Sequence, residues 1–446
     1  MDDKTKNVNK TIDASLSDML SDIGEIIAVP AMAPSFEGGE GELERSQVIG
    51  KILKKSNVFD SIKHYDVIQS TETGDIVRPN LVAMVNGVDS TLPTTWIITH
   101  MDEVPTGNLK LWYSNPRKLT LAIEEDFGFQ TVSIDDLDKY IGTSEFDKLV
   151  VIGRSVDDDV KPGVGAVYAL KALKAKGIVP NGNIGLVFVS DEETGGSEYG
   201  IRHLAEKIRL FKPEDLIIVP DDGNETGDVI EIAEKSRLVI KVTTEGKQGH
   251  SANGYDDSKN ASEVASRYQI EFVDWFREKY KARNKLFEPS YSTIQPTQRH
   301  IESGSANTVP GVDISFIDMR LLPKYNIDDV LDYAKNLADK YQDQSEIKMI
   351  IENPVHTLAP PETSSKCEVV TKLIDAIQAV RGVKPKMIGI GGETCANHLR
   401  KIKIQGKYLN VAVYCSITGT EHKINERAKL AHILYDTKVF AHMFMN

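Results

Sequence analysis

The sequence predicts an α/β fold, in which helices flank a sheet of buried strands, joined to a smaller α+β layer. Short apolar runs alternate with segments of helical spacing in the first half of the chain, the order expected of an α/β sheet. From about Lys235 the predicted order becomes βαββαβ, which is typical of a ferredoxin-like layer. Several apolar runs end in acids, most clearly 186–189, which leads through Ser190 into Asp191, Glu192 and Glu193. Because ligands of α/β sheets bind outside the carboxyl ends of the strands, these ends are the candidate site.

Composition excludes several classes of protein. The chain has 446 residues and a net charge of -13, so neither nucleic acid nor an anionic membrane is an expected partner. No apolar stretch approaches the roughly 18 residues that span a bilayer, and the N-terminus has no apolar signal region. Cys367, Cys395 and Cys415 lack CxxC spacing, which argues against a disulfide scaffold or a thiolate zinc site. We expect a cytoplasmic, reduced protein.

Apolar spacing predicts the elements of the first half of the chain. Helices are predicted at 11–27, ended by Pro30 and Pro34, and at 42–55. The stretch 107–148 predicts a hairpin or an excursion over the surface. Continuous apolar runs predict buried strands, and one further helix lies between them: strands 80–85, 95–99, 149–152, 184–189 and 216–219, and helix 166–176.

The second half is divided by composition and by prolines. We expect a larger domain in two parts, 1–235 and 354–446, with a smaller domain, 236–353, inserted between them. The predicted elements are strand 238–244, helix 260–281, strands 291–302 and 312–320, helix 327–341, strand 347–351, helix 367–380, strand 410–413 and helix 430–445.

The acids at the strand ends point to metal binding. Buried carboxylates cost on the order of several kcal/mol to desolvate unless a positive group meets them, and a helix N-terminus compensates for one charge rather than three. Divalent ions are natural partners for such a cluster. In His100-x-Asp102, both side chains of an extended segment point the same way, so Asp102 can hold one ring nitrogen while the other binds metal. The alternatives are a polar loop with a helix cap after 186–189 and a surface loop at His100.

Taken together, five motifs resemble the zinc exopeptidases of clan MH, metallopeptidase family twenty. That family includes aminoacylase, acetylornithine deacetylase, succinyl-diaminopimelate desuccinylase and several dipeptidases and carboxypeptidases. The resemblance implies a zinc-exopeptidase-like α/β catalytic domain with a central mixed sheet, plus an inserted ferredoxin-like lid or dimerisation domain. The motifs, which keep the family's order along nearly the whole chain, are His100-x-Asp102, Gly153-Arg154…Asp158, Asp191-Glu192-Glu193, Pro220-Asp221 and Glu421-His422…Asn425-Glu426.

The resemblance also implies two zinc or cobalt ions, to which each motif contributes one ligand. His100 and Asp221 would hold one ion, Glu193 and His422 the other, and Asp158 would bridge them. Imidazole and carboxylate ligands suit zinc, and two such ions clamp a nucleophilic water.

Two further roles in catalysis are implied by the family. Glu192, beside a ligand but itself free, would act as general base, and Asp102 would orient His100.

The register of two ligands stays open in the sequence. Asp158 is chosen over Asp157 and Asp159 by its spacing from Arg154, with Asp159 as the fallback, and Asp221 has Asp222 beside it. The chain also departs from the family pattern at Ser155, where glycine is usual, and in the greater length of 107–148.

The smaller domain carries motifs that match the family's lid. His250 would reach the active site of a partner subunit and polarise the scissile carbonyl, which implies a homodimer. Asn307 and Arg320 would bind substrate, since an arginine fork suits a carboxylate, and Gly391 and Gly392 would let the backbone approach it. Alternatively, His250 is an ordinary turn histidine and Arg320 pairs with Asp318.

The expected function is a two-metal hydrolase that cleaves an amide or peptide bond beside a free carboxylate, like a dipeptidase or carboxypeptidase. The first alternative is an N-acyl amino-acid deacylase that resembles the desuccinylase or acetylornithine deacetylase. The substrate would be a small peptide or an N-acyl amino acid. A metal-binding protein without catalysis is a further alternative, against which an unligated Glu192 argues.

Overall fold

The computed structural model describes residues 3–72, 74–253 and 258–445. The chain folds into two compact units: the larger comprises Met1–Ile232, Glu362–Met387 and Thr394–Asn446, and the smaller Ala233–Pro361 and Ile388–Glu393. Gly391 and Gly392 therefore group with the smaller unit, whereas the expected domain bounds include them in 354–446. Within the described ranges, no helix is both long and apolar enough to cross a membrane.

Helices form where the apolar residues recur at helical spacing. Their bounds are α1 Asp3–Asp13, α2 Leu16–Ile27, α3 Leu43–Ser56, α4 Lys161–Ala175, α5 Ala261–Lys279, α6 Asp328–Ser345, α7 Glu368–Arg381, α8 Cys395–Lys401 and α9 Leu430–Met445.

The strands include all the predicted apolar runs and several short segments that the pattern did not reveal. Their bounds are β1 Ser61–His64, β2 Val67–Thr71, β3 Gly74–Arg78, β4 Leu81–Val85, β5 Thr95–His100, β6 Thr120–Glu125, β7 Gly128–Thr131, β8 Leu149–Ile152, β9 Ile184–Val189, β10 Leu216–Asn224, β11 Val229–Glu234, β12 Ser236–Glu245, β13 Gly249–His250, β14 Thr293–Glu302, β15 Thr308–Val309, β16 Val312–Leu321, β17 Lys348–Thr357, β18 Lys386–Ile390, β19 Lys403–Ile404, β20 Lys407–Tyr408, β21 Val411–Ser416 and β22 Arg427–Lys429.

The main sheet is mixed, as expected. Its strand order is β1-β4-β9-β5-β10-β21-β11-β18. Strands β9, β5, β10 and β21 run parallel, while β4 pairs antiparallel with β9 and β11 pairs antiparallel with β21. One face carries a buried apolar cluster that includes Ile98, Val187, Ile217 and, from α8, Leu399. The predicted α/β class is confirmed.

One predicted strand lies in a different sheet. The run 149–152 is β8, which belongs to an antiparallel sheet of order β22-β8-β6-β7. The excursion 107–148 supplies the hairpin β6–β7, which confirms the hairpin prediction, and β6 pairs directly with β8. All four residues of β8 are buried, as the apolar run predicts. The run does not predict which strand β8 pairs with. The run was expected in one sheet with the other buried strands, and that prediction is wrong.

Two helix boundaries differ from the predictions. The helix predicted over 11–27 is two helices, α1 and α2, separated at Ala14 and Ser15. Helix α4 begins at Lys161 rather than at 166, and the polar Lys161 is buried there because its ammonium pairs with the buried carboxylate of Asp157.

The smaller unit has the predicted ferredoxin-like order β12-α5-β14-β16-α6-β17. Its sheet is antiparallel, with order β14-β16-β12-β17. Strands β12 and β16 alternate between buried and half-buried residues, and the buried sides of Ile240 and Met319 pack with Phe272 of α5 and Ala334 of α6.

Candidate metal centre

Three parallel strands of the larger unit carry candidate ligands at or just beyond their carboxyl ends. Strand β5 ends at His100, β9 is followed by the acids up to Glu193, and β10 contains Asp221. Because β9, β5 and β10 are adjacent and parallel, these ends share one sheet edge.

Asp158 reaches that edge from outside the main sheet. It lies between β8 and α4, in a helical turn, Val156–Val160, whose backbone departs from helical angles at Asp158 and Asp159. The peptide bond between Asp158 and Asp159 is cis.

The first group of possible ligand atoms joins a buried histidine to two carboxylates. The Nε2 atom of His100 lies 2.7 Å from Oδ1 of Asp158 and 3.5 Å from Oδ1 of Asp221. Ligand atoms of the three residues all lie within 4.8 Å of one another, a spacing that one divalent ion can bridge.

The second group shares Asp158 with the first. The Nε2 atom of His422 lies 3.3 Å from Oδ2 of Asp158 and 3.0 Å from Oε2 of Glu193, again with all donors within 4.8 Å. The His422 side chain is 57% exposed, against 1% for His100, so the histidine of the second group is the one that solvent reaches. His422 has a φ of 60°, a left-handed conformation that few non-glycine residues adopt.

The structure distinguishes among the three consecutive aspartates. Asp157 pairs with Lys161 and accepts a hydrogen bond from the backbone N–H of Thr418 at 2.8 Å. Asp159 accepts one from the backbone N–H of His100 at 3.3 Å. Asp158 alone of the three lies in both donor groups.

Asp222 is likewise set apart from Asp221. Its carboxylate accepts a hydrogen bond from the backbone N–H of Gly223 at 2.5 Å, and it belongs to neither donor group. The geometry therefore favours Asp158 and Asp221 over the neighbours that the sequence left open.

Asp102 contacts this sheet edge through both its side chain and its backbone. Its carboxylate oxygens accept hydrogen bonds from the backbone N–H groups of Glu192 at 3.1 Å and Glu193 at 2.9 Å. Toward His100 Nδ1 it presents its backbone carbonyl oxygen at 3.1 Å, with the carboxylate at 3.5 Å. The spacing of His100 and Asp102 predicts that the Asp102 carboxylate holds the ring, whereas the backbone carbonyl oxygen is the nearer acceptor.

Several carboxylates lie close together in this site, and their burial and mutual interactions shift the pKa values of its residues. Burial and the charge of Asp221 raise the pKa of Glu192 well above its usual range. Burial and Asp158 raise the pKa of Glu193 to about 7. Hydrogen bonds to Asp158 and Glu193 raise the pKa of His422 to about 10. Burial would raise the pKa of Asp158, but hydrogen bonds from the two histidines lower it.

These donors fit divalent metal ions. Both ring nitrogens of His100 face oxygen atoms, so a neutral imidazole satisfies only one of them by donating a proton. A cation at Nε2 would use the nitrogen lone pair and compensate the carboxylates around it. The set of two imidazoles and three carboxylates, with one carboxylate shared, is chemically suited to zinc or a similar ion.

Two buried acids near the ligands received no role from the sequence. Glu426 accepts hydrogen bonds from Arg154 and from the backbone of the Asp158 segment. Glu103 pairs with Arg45 and Arg117 and accepts a short hydrogen bond from the Ser155 hydroxyl. Glu426 belongs to the last of the five motifs. Nothing in the sequence indicates that Glu103 pairs with Arg45, which lies 58 positions away.

The backbone conformation at Ser155 favours the glycine that the resemblance implies at this position. Its φ is 68°, in the left-handed region that glycine enters without a steric penalty. The serine hydroxyl bonds to Glu103 and also accepts from Arg45 at 3.0 Å, contacts that glycine could not make.

The remaining candidates lie in the smaller unit. Nδ2 of Asn307 and Nε2 of His250 are 3.1 Å apart, and both side chains are exposed. Arg320 donates from Nε to Asp318 at 2.7 Å, the pairing that the sequence analysis named as an alternative. It also donates from Nη1 to the Gly391 carbonyl at 2.6 Å. A Cβ at Gly391 would meet no atom within 4 Å, and one at Gly392 would meet Ile390 at 3.5 Å.

Comparison with known proteins identifies the family. Residues 96–446 match the model described as peptidase family M20/M25/M40. The chain belongs to that family. It is therefore a metal-dependent hydrolase of the peptidase and amidohydrolase class, as the sequence motifs indicated.

Several relatives and solved structures are similar to this M20 chain over most of its length. It is 32% identical over 432 residues to an uncharacterized metallohydrolase of Methanocaldococcus jannaschii, covering 93% of this chain and 96% of that one. It is 24% identical over 308 residues to the succinyl-diaminopimelate desuccinylase of Gluconobacter oxydans, covering 68% and 74%. Human carnosine dipeptidase 1 has the same fold, with a TM-score of 0.73, 18% identity and coverage of 99% and 98%.

Proposed function

We propose that this M20 chain is a two-metal hydrolase, with zinc or cobalt, that cleaves an amide or peptide bond beside a free carboxylate. The observation that carries the proposal is the sharing of Asp158 between two donor groups, each with one histidine and one further carboxylate. His100 and Asp221 would hold one ion, Glu193 and His422 the other, and Asp158 would bridge them.

The bound ions would polarise the scissile carbonyl and acidify the attacking water. The chain's own part in the proton transfer falls to Glu192. Its carboxylate belongs to neither donor group, and its buried, acidic surroundings raise its affinity for a proton. Glu192 takes the proton of the water and passes it to the leaving amine. Asp102 fixes the backbone at Glu192 and Glu193, which holds the base beside a ligand.

Residues of the smaller unit would recognise the substrate. His250 would polarise the carbonyl in the active site of a partner subunit of a homodimer, and its hydrogen bond with Asn307 would set the ring orientation. Arg320 would exchange part of its pairing with Asp318 for the substrate carboxylate, since its fork is matched to such a group. Gly391 supports this assignment because its carbonyl already holds one Nη atom of Arg320.

The substrate is a dipeptide or a peptide with a free carboxyl end. An N-acyl amino acid is the second candidate, favoured by the sequence similarity to a desuccinylase. A panel of dipeptides compared with N-succinyl and N-acetyl amino acids, assayed with added zinc or cobalt and with chelator, distinguishes the two. Release of amino acid from dipeptides that stops with chelator supports the first, and hydrolysis confined to the N-acyl compounds supports the second. Cleavage undisturbed by chelator, in a protein that binds no divalent ion, would refute both.

A further inference from the structure

We propose that Glu426 is a positioning residue that holds Asp158 and His422 in register for the metal ions. The inference rests on the proposed ligand set, but Glu426 itself belongs to neither donor group. It lies four residues after His422, in the segment between β21 and β22, and its side chain is 1% exposed.

Both carboxylate oxygens of Glu426 are used to hold the Asp158 segment. Oε1 accepts hydrogen bonds from the backbone N–H groups of Asp157 at 3.0 Å and Asp158 at 3.2 Å. Oε2 accepts from the backbone N–H of Ser155 at 3.0 Å and from Nη1 of Arg154 at 2.7 Å. One side chain thus fixes the backbone on which Asp158 is carried.

Arg154 extends the connection to the histidine at the end of β5. Its Nη2 donates to the backbone carbonyl of Pro105 at 3.1 Å, five residues after His100, and its guanidinium lies 5.3 Å from the Trp112 ring centroid. The pair of Glu426 and Arg154 therefore joins three chain segments that each carry one proposed ligand.

A carboxylate is the group that this arrangement requires. Four donors converge on two oxygens, so both oxygens must be acceptors. A glutamine would keep the shape but turn its NH2 group toward two donors, and would remove the charge that pairs with Arg154. The Asp158 segment would then shift relative to His422, and groups that orient metal ligands affect metal affinity as well as geometry.

The test is a zinc competition titration of the full chain against a chromogenic chelator. Glu426→Gln should weaken zinc binding roughly ten- to hundredfold, the usual effect of losing such a support. Asp313→Asn is the matched control, because Asp313 is also fully buried and bonded to an arginine, with Arg299 Nη2 at 2.6 Å, but lies in the smaller unit. Its zinc affinity should equal that of the wild type, whatever its melting temperature.

The outcomes separate this inference from the proposed function. If the wild type binds no zinc, the ligand set is wrong. If the wild type binds zinc and Glu426→Gln binds it equally well, or if Asp313→Asn loses as much affinity, Glu426 has no positioning role. Should Glu426→Gln not fold, Arg154→Lys decides: lysine keeps a charge for Glu426 but cannot also hold Pro105, so zinc affinity must fall, and unchanged affinity overturns the inference.

Discussion

Glutamine substitutions at Glu192 and Glu193 should separate turnover from metal binding. The two residues are adjacent, but Glu193 lies 3.0 Å from His422 and supplies one of three donors in its group, while Glu192 belongs to neither group. Glu192→Gln removes no ligand and preserves volume, so the metal content should equal that of the wild type. Glu193→Gln should release or weaken one ion.

The size of the kinetic effect follows from the role of Glu192. A glutamine amide cannot accept the proton of the attacking water, and loss of a general base costs about 10²- to 10⁴-fold in rate. That loss corresponds to roughly 3 to 5 kcal/mol of transition-state stabilisation. Burial among Asp221 and Glu193 raises the pKa of Glu192, which suits it to hold a proton between the two transfers.

The assay measures kcat, KM and bound metal on the same preparations. Wild type, Glu192→Gln and Glu193→Gln are reconstituted with excess zinc, desalted and analysed for zinc by elemental analysis. The exposed Glu198 offers a control, since Glu198→Gln on the same loop should change none of these three quantities. If Glu192→Gln lost metal while keeping full activity per bound ion, the roles of Glu192 and Glu193 would be reversed and the proposed mechanism wrong.

Three further predictions address the subunits, the metals and pH. His250→Ala should abolish turnover without removing metal, and mixing it with Glu192→Gln under subunit exchange should restore activity; no recovery despite proven exchange would exclude a shared site. Chelation should lower the melting temperature, because the carboxylates of Asp158, Glu193 and Asp221 then lie together without a compensating cation. A metal ion at 100 times its Kd contributes about 2.7 kcal/mol to the free energy of unfolding. An unchanged melting temperature would contradict the ligand set. Burial would raise the pKa of Glu103, but Arg45 and Arg117 lower it from 4.5 to about 2. Its contribution to stability is thus fully present above pH 4.5 and lost as the pH falls toward 2, so the stability gap between wild type and Glu103→Gln in urea unfolding should shrink by about 3 kcal/mol over that range. A difference in unfolding free energy that does not depend on pH would contradict the lowered pKa of Glu103.

Much of the fold could be predicted because local pattern reports burial. The runs at β5 and β9 are continuous and apolar, and each became a fully buried strand. In β12 the apolar residues alternate in the sequence, and the buried and half-buried residues of the strand alternate with them. The acids after β9, and His100 at the end of β5, identified the edge of the sheet, since charged groups at the end of a buried strand require a compensating partner.

Tertiary structure alone decided which groups meet. Strand β8 is as apolar as β5 but pairs with β6, because pairing depends on segments distant in sequence. Spacing from Arg154 favoured Asp158 among the three consecutive aspartates and left Asp159 as the fallback. Only the folded chain brings Asp157 to Lys161 and places Asp158 beside both histidines. Glu426 belongs to a family motif, but the sequence assigns it no partner. Folding brings its carboxylate to the backbone N–H of Asp158, which lies 268 positions earlier in the chain. Periodicity encodes which side of an element is buried, whereas the direction of a side chain and the identity of its long-range partner arise only when the elements pack.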